Sequence, residues 1–219
     1  MWISLILLSL SFPCNIVESG VRVELVDTFS TCISEERGLP CGWYATKKDI
    51  SMISLQREGS NTYLKIKTVG GCTAIGIQKQ YDCKEFPELI WKWRVYSVPS
   101  GALENVRKLA DSAAGVYVIF KGKLRLNRII KYVWSSSLEK GVCVESPYNE
   151  RVKIVVLQSG DAASGIWISE CVNVVNDYKR LFGREPSDPV VGIAILSDSD
   201  NTRSMVDADY DDFWIRGSR

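Results

Sequence analysis

The sequence predicts a mainly all-β protein, a β-sandwich carrying one α-helix near residues 173–182. Three observations carry that reading. Period-2 hydrophobic segments recur along the chain, Gly, Pro and Asn separate them, and a single stretch shows helical spacing with both caps. No repeat, low-complexity tract or linker divides the 219 residues, so one domain over 20–219 is expected.

The elements follow in order. Residues 21–29 (VRVELVDTF) alternate apolar with charged side chains, as a half-buried strand does. Residues 51–56 and 63–68 flank Gly59-Ser60-Asn61 and read as a hairpin. Gly70-Gly71 then turns the chain into a strand at 73–79. Residues 89–98 (LIWKWRVYSV) set Trp91, Trp93 and Val95 on one face, and Lys92, Arg94 and Tyr96 on the other. The runs 115–120 (GVYVIF) and 152–157 (VKIVVL) are apolar nearly throughout and read as interior strands; 129–134 and 190–196 complete the set. For the helix, Asn173 is the N-cap and Val175, Tyr178, Leu181 and Phe182 recur at helical spacing. Lys179 and Arg180 fall in the last turn, and Gly183 takes the C′ position. A shorter helix over 103–109 is also expected.

Composition narrows the chemistry. Lys+Arg 27 against Asp+Glu 26 gives a net charge of +1, which offers no basic footprint for nucleic acid. Histidine is absent, so Ser-His-Asp and Cys-His catalysis are excluded, together with mixed Cys/His zinc sites. Glu139, Glu145, Glu170 and Asp177 are available for carboxylate chemistry, but nothing in their spacing selects a pair.

The apolar run at 3–12 (ISLILLSLSF) has the length of a signal-peptide core and is too short for a membrane span, which takes about 20 residues. Val17 and Ser19 precede a cut near Gly20, so residues 1–19 read as a cleaved signal and the protein as periplasmic or secreted. Lipidation at Cys14 is the alternative, although Ser11 and Pro13 fit a lipobox poorly. Without Cys14 six cysteines remain, an even number suited to an oxidising compartment. Proximity suggests Cys32 with Cys41, Cys72 with Cys83 and Cys143 with Cys171, one of about 15 possible connectivities.

Several stretches together carry a resemblance: DTFS with GLPCGW, then FPELIWKWRV, GVYVIF, IIKYVWSSS, LQSGDAASGIWISECVNVVNDYKRLFG and VVGIAILSDSDNTRSMVDADYDDFWI. In this order and spacing they resemble a family of bacterial exported proteins, the domain of unknown function 3047, over about residues 26–215. The resemblance implies a jelly-roll-like antiparallel β-sandwich akin to galactose-binding-like and other carbohydrate-binding domains. It brings no established activity, so no catalytic residue is carried over. The cysteine content departs from the family pattern.

Two groups of residues are candidates for function. Trp134 ends a strand before three serines and is expected to be exposed, with Lys131 and Tyr132 on the same surface. Together with the turn bearing Asp198, Asp200, Asn201 and Thr202, it forms the predicted ligand site for carbohydrate or another cell-envelope component. The second group is the C-terminal aspartates. SDSDNT resembles the start of an EF-hand loop, but the required glycine and distal Glu are missing. In jelly rolls resembling this one a structural calcium often ties the first strand to the last, and Glu24, Asp27, Asp211 and Asp212 would supply such a Ca2+ site. The simpler reading is that alternate aspartates on an edge strand point to water. A non-catalytic binding protein is therefore the leading expectation. A carboxylate-dependent glycoside hydrolase or lyase and a structural envelope protein are the alternatives.

Overall fold

The computed structural model describes residues 20–31, 33–34, 38–46, 50–161 and 164–217. The predicted signal segment 1–19 and Cys32 lie outside the described residues, and with Cys32 the expected Cys32–Cys41 bridge.

The strands are β1 (Val23–Asp27), β2 (Ile33–Ser34), β3 (Leu39–Pro40), β4 (Trp43–Ala45), β5 (Ile53–Glu58), β6 (Asn61–Val69), β7 (Cys72–Ile77), β8 (Glu88–Ser97), β9 (Ser112–Phe120), β10 (Arg128–Ser135), β11 (Cys143–Ser146), β12 (Asn149–Ser159), β13 (Ile168–Asn173), β14 (Val190–Asp198) and β15 (Met205–Arg216). Helix α1 (Val174–Phe182) lies between β13 and β14. The six-stranded sheet runs β13-β8-β15-β6-β5, with β1 also on β15, and the seven-stranded sheet runs β11-β12-β10-β9-β14-β7-β4. The two form a jelly-roll-like sandwich. Among the described strands β10 and β12 alone pair in parallel.

The core forms between the sheets because each long strand alternates. On β8, Leu89, Trp91, Trp93 and Val95 face inward and are fully or almost fully buried, as their spacing predicts. From the other sheet Tyr132 and Trp134 meet them: the Trp91 and Tyr132 rings lie 5.7 Å apart, and those of Trp93 and Trp134 5.9 Å. Phe213 stacks on Trp91 at 6.4 Å. The Trp91–Tyr132 and Trp93–Trp134 contacts cross the sandwich, and rings of this size bury large apolar areas.

Helix α1 ends as its caps dictate. Asn173 Oδ1 accepts the Asn176 N–H at 2.9 Å, and Gly183 adopts φ 69° with its N–H on the Lys179 carbonyl. The helix expected over 103–109 is not formed. Short turns close there instead, with Leu103 N–H on Leu109 O at 2.7 Å. Glu104, buried beneath them, accepts the Ser135 hydroxyl at 2.8 Å, so a tertiary tie overrides local helical spacing.

Two predicted disulfides are not formed. Cys83, Cys143 and Cys171 are thiols. Cys72 pairs with Asp198 at one end of β14, whereas Tyr81, two residues before Cys83, bridges Val190 at the other end. At about 3.3 Å per residue the two cysteines are separated by roughly 25 Å, and a bridge needs Cα atoms within about 7 Å. Cys143 and Cys171 stand on different sheets and accept from different arginines, Arg180 at 2.7 Å and Arg216 at 3.4 Å. Closeness in sequence misleads because a strand carries its two ends apart.

The two core tryptophans of β8 differ in one respect that is measurable. Trp93 Nε1 donates to Glu170 Oε1 at 3.2 Å, while the buried Trp91 Nε1 has no partner. Trp93→Phe is therefore expected to destabilise the protein by about 1–2 kcal/mol more than Trp91→Phe, measured by urea denaturation.

Candidate functional site

The same alternation that builds the core decorates the outer face of the six-stranded sheet. Strand β15 presents Asp207, Asp209 and Asp211 there, flanked by Lys65 and Lys67 on β6 and by Lys92 and Arg94 on β8. Register sets Asp209 opposite Lys65 on one side and Arg94 on the other. Arg94 Nε donates to Asp209 at 2.7 Å and Lys65 Nζ lies 3.1 Å from it. Lys65 also pairs with Asp207, and Arg94 Nη1 with Glu58 at 3.1 Å. Asp209 is 0% exposed. Burial pushes its carboxyl above the ordinary range, against the hydrogen bond from Arg94 and the charge of Lys65.

Aromatic rings cover this ion pair. The Arg94 guanidinium sits 4.4 Å from the Trp167 ring, 4.8 Å from Tyr63 and 5.3 Å from Tyr96. Trp167 meets Tyr63 edge-on at 5.6 Å. Both remain partly open to solvent, and Tyr96 more so.

Beside these rings β15 changes neighbours. Up to Tyr210 it pairs with β6, and from Phe213 with β1. A bulge marks the change: against β8 the register shifts between Asp211 and Trp214, and Asp212 takes φ 52°, which a non-glycine residue seldom adopts. The bulge opens a recess of about 330 Å³ lined by Asn61, Lys92, Trp167, Ser169, Asp211 and Asp212. Asn61 Nδ2 donates to Asp211 Oδ2 at 2.6 Å, the Asp212 N–H to Asp211 Oδ1 at 2.8 Å, and Lys92 Nζ lies 2.8 Å from Asp212. Burial pushes the Asp211 carboxyl up to about 6, opposed by the Asn61 hydrogen bond. The recess thus combines a partly open indole with amide, ammonium, hydroxyl and carboxylate groups, a set able to hydrogen-bond a polyhydroxylated ring resting on the indole.

The predicted ligand residues lie elsewhere. Trp134 is 1% exposed and donates to the Gly160 carbonyl at 2.8 Å. It points inward onto Trp93, so its ring offers no platform to solvent. Tyr132 is buried with its hydroxyl on Asp177 at 2.9 Å. Lys131 is buried with Nζ on Ser112 Oγ at 2.8 Å. Strand β10 is central in its sheet, and chain packs over its outer side as well. The Asp198–Thr202 turn belongs to the seven-stranded sheet. There the buried Asp111 accepts the N–H groups of Asn201 and Thr202 at 3.1 and 2.7 Å and the Thr202 hydroxyl at 2.6 Å. Burial pushes Asp198 up to about 6.

Each carboxylate of the expected calcium set has its own nitrogen donor. Glu24 takes Lys79, Asp27 takes Trp43 Nε1 and the Phe29 N–H, Asp211 takes Asn61 and Asp212 takes Lys92. The group gathering ligand atoms among the described residues is Cys72, Asp198 and Asp200, all within 4.8 Å of one another. The aspartates of β15 lie in the middle of a sheet and not on an edge strand. Nor do the remaining carboxylates gather: Glu170 is held by Trp93 and Gln158, Asp177 by Tyr132 and Arg180, and Glu145 by Lys153. Trp167 was legible in one respect only, since it follows Gly165 outside any alternating run, where a tryptophan has no core position to fill.

Fold and face define a class, a jelly-roll-like β-sandwich that presents a charged, aromatic outer sheet. The chain belongs to the family described as a protein of unknown function, DUF3047, whose model matches residues 43–214. Among curated proteins there is no match. Of solved structures, the family 11 carbohydrate-binding module of the cellulosomal cellulase Lic26A-Cel5E of Clostridium thermocellum is similar at 8% identity and TM-score 0.48, covering 91% of this chain and 97% of that one. The family 30 carbohydrate-binding module of the cellulosomal cellulase Cel9D-Cel44B of the same organism is similar at 10% identity and TM-score 0.44, covering 80% and 90%. The K1 cleaved adhesin domain of Lys-gingipain from Porphyromonas gingivalis W83 is similar at 9% identity and TM-score 0.39, covering 91% and 99%.

Two outcomes follow from the charges. Arg94→Ala leaves the buried Asp209 with Lys65 alone and is expected to cost about 3 kcal/mol in urea denaturation. For Asp211, the folded carboxyl titrates near 6 and the unfolded one near 3.8. Between those values the folded state holds the extra proton, so this contribution to stability is fully present below about pH 4 and is lost as pH rises through about 6. Asp211→Asn is expected to flatten the fall in melting temperature over that window, as scanning calorimetry at half-unit pH steps would record.

Proposed function

We propose that this protein binds carbohydrate without transforming it, in the recess on the outer face of the six-stranded sheet. Trp167 is the stacking platform, and Asn61, Lys92, Ser169, Asp211 and Asp212 are the hydrogen-bonding rim. One observation carries this reading: a partly open indole, steadied by Arg94 and Tyr63, borders a recess whose other walls are all polar. A flat apolar ring beside paired donors and acceptors suits a sugar, which has an apolar face and a hydroxylated edge. Steadying the ring beforehand lowers the ordering cost of binding.

The apolar run at 3–12 supports export, which makes an envelope or extracellular glycan the expected ligand. The thiol state of Cys83, Cys143 and Cys171 lends export no support, whereas the disulfide-bonded state of Cys41 suits an oxidising compartment. No helix among the described residues is long and apolar enough to cross a membrane.

The test is a glycan array followed by calorimetric titration of the strongest hit. Trp167→Ala is expected to weaken binding at least about tenfold with the near-ultraviolet circular dichroism of the core tryptophans retained. Wild-type affinity in Trp167→Ala would remove the proposal.

A further inference from the structure

The opposite side of the sandwich carries a second depression with a different chemistry. On the outer face of the seven-stranded sheet a trough of about 480 Å³ is lined by Tyr44, Gln78, Gln80, Ile119, Asn127, Val191 and Gly192. That volume lies within the roughly 300–1,000 Å³ of small-molecule sites. We propose that this trough is a second glycan-binding site, selective for uncharged sugars and independent of the Trp167 recess.

Local sequence explains the shape. Strand β7 alternates so that Ala74 and Gly76 face outward, and Tyr44 on edge strand β4 pairs with Gly76. A Cβ at Gly76 would lie 3.2 Å from the Tyr44 ring, so the ring lies against bare backbone. Its exposure remains 45%, and it offers a ring to solvent at the trough's edge. On β14, Gly192 gives the trough a floor of bare backbone; a Cβ there would lie 3.0 Å from the Ile77 carbonyl, so a larger residue would not fit without a shift. Asn127 is held in place. Its Oδ1 accepts the Gly122 N–H at 3.1 Å, in a loop so tight that a Cβ at Gly122 would lie 1.9 Å from the Leu126 carbonyl oxygen. The Asn127 amide nitrogen is left as a fixed donor.

The lining selects the ligand class. Gln78, Gln80 and Asn127 contribute three amides, and Tyr44 is the one ionisable group in the wall. Amides offer a donor and an acceptor side by side, as vicinal hydroxyls require, and no charge has to be desolvated when a ligand settles on them. An anionic sugar would find no counter-charge there. The Trp167 recess, with Lys92, Asp211 and Asp212, has the opposite character. Two glycan sites on opposite faces would let one domain bridge two chains of a polysaccharide, raising avidity without new contacts.

The experiment is affinity electrophoresis of the full-length chain through gels containing hydroxyethylcellulose, galactomannan or polygalacturonate. Trp167→Ala is expected to remain retarded by at least one of the two neutral polymers. Adding Tyr44→Ala to it should lower the retardation at least about tenfold, and adding Gln78→Ala with Gln80→Ala, which leaves the ring contact intact, should lower it too. Two results would overturn the proposal: no retardation of Trp167→Ala by either neutral polymer, or equal retardation with and without the Tyr44 and glutamine changes. Loss of wild-type binding on Trp167→Ala alone would leave the first site standing and remove the second.

Discussion

Strand β15 holds the six-stranded sheet together through one residue in particular. Asp209 is closed off from water between Lys65 of β6 and Arg94 of β8. A carboxylate at that depth is tolerable only because cations reach it from both neighbouring strands. Trp167, Tyr63 and Tyr96 pack over Arg94, and Tyr96 also lies under Lys65. The aromatic face and the buried charge beneath it are thus in direct contact. Removing Arg94 alone would leave Asp209 buried with Lys65 as its one cation and take away the guanidinium on which the rings pack.

The recess depends on the same strand. A sheet of unbroken register would carry β6 past Asp211 and leave no depression. The bulge at Asp212 lets β15 exchange β6 for β1, and the space at that exchange is what Trp167 and Ser169 border. Asp211 is held there by Asn61 and its own neighbour's N–H, in an orientation set before any ligand arrives. The trough on the other sheet arises differently. There the Tyr44 ring lies against the bare backbone of Gly76, and Gly192 approaches the Ile77 carbonyl too closely for a side chain. One face is shaped by a fault in register, and the other by missing side chains.

Much of the architecture was readable in the residues themselves. The alternation of 89–98 placed Trp91 and Trp93 in the core, the hairpin about Gly59 and Ser60 formed, and the caps Asn173 and Gly183 bounded the helix. Each depends on neighbours within a few positions. The misreadings share one cause as well. Trp134 sits beside three serines, which suggested an exposed strand end, yet β10 lies inside a seven-stranded sheet and its inward side chains meet β8. The cysteines close in sequence were joined across distances that strands stretch out.

By itself the sequence determined period, caps, turns and family, because backbone geometry translates local side-chain pattern into strand and helix without reference to distant residues. The tertiary structure alone decided which tryptophan is open, which aspartates share a cation and where a recess forms. Those outcomes require residues such as Asn61, Lys92, Trp167 and Asp211 to be brought together by sheet order, and sheet order is set by how the whole chain buries its apolar faces. Trp134 and Trp167 are chemically identical, and only their places in the fold, one on a central strand and one just ahead of β13, make one core and the other surface.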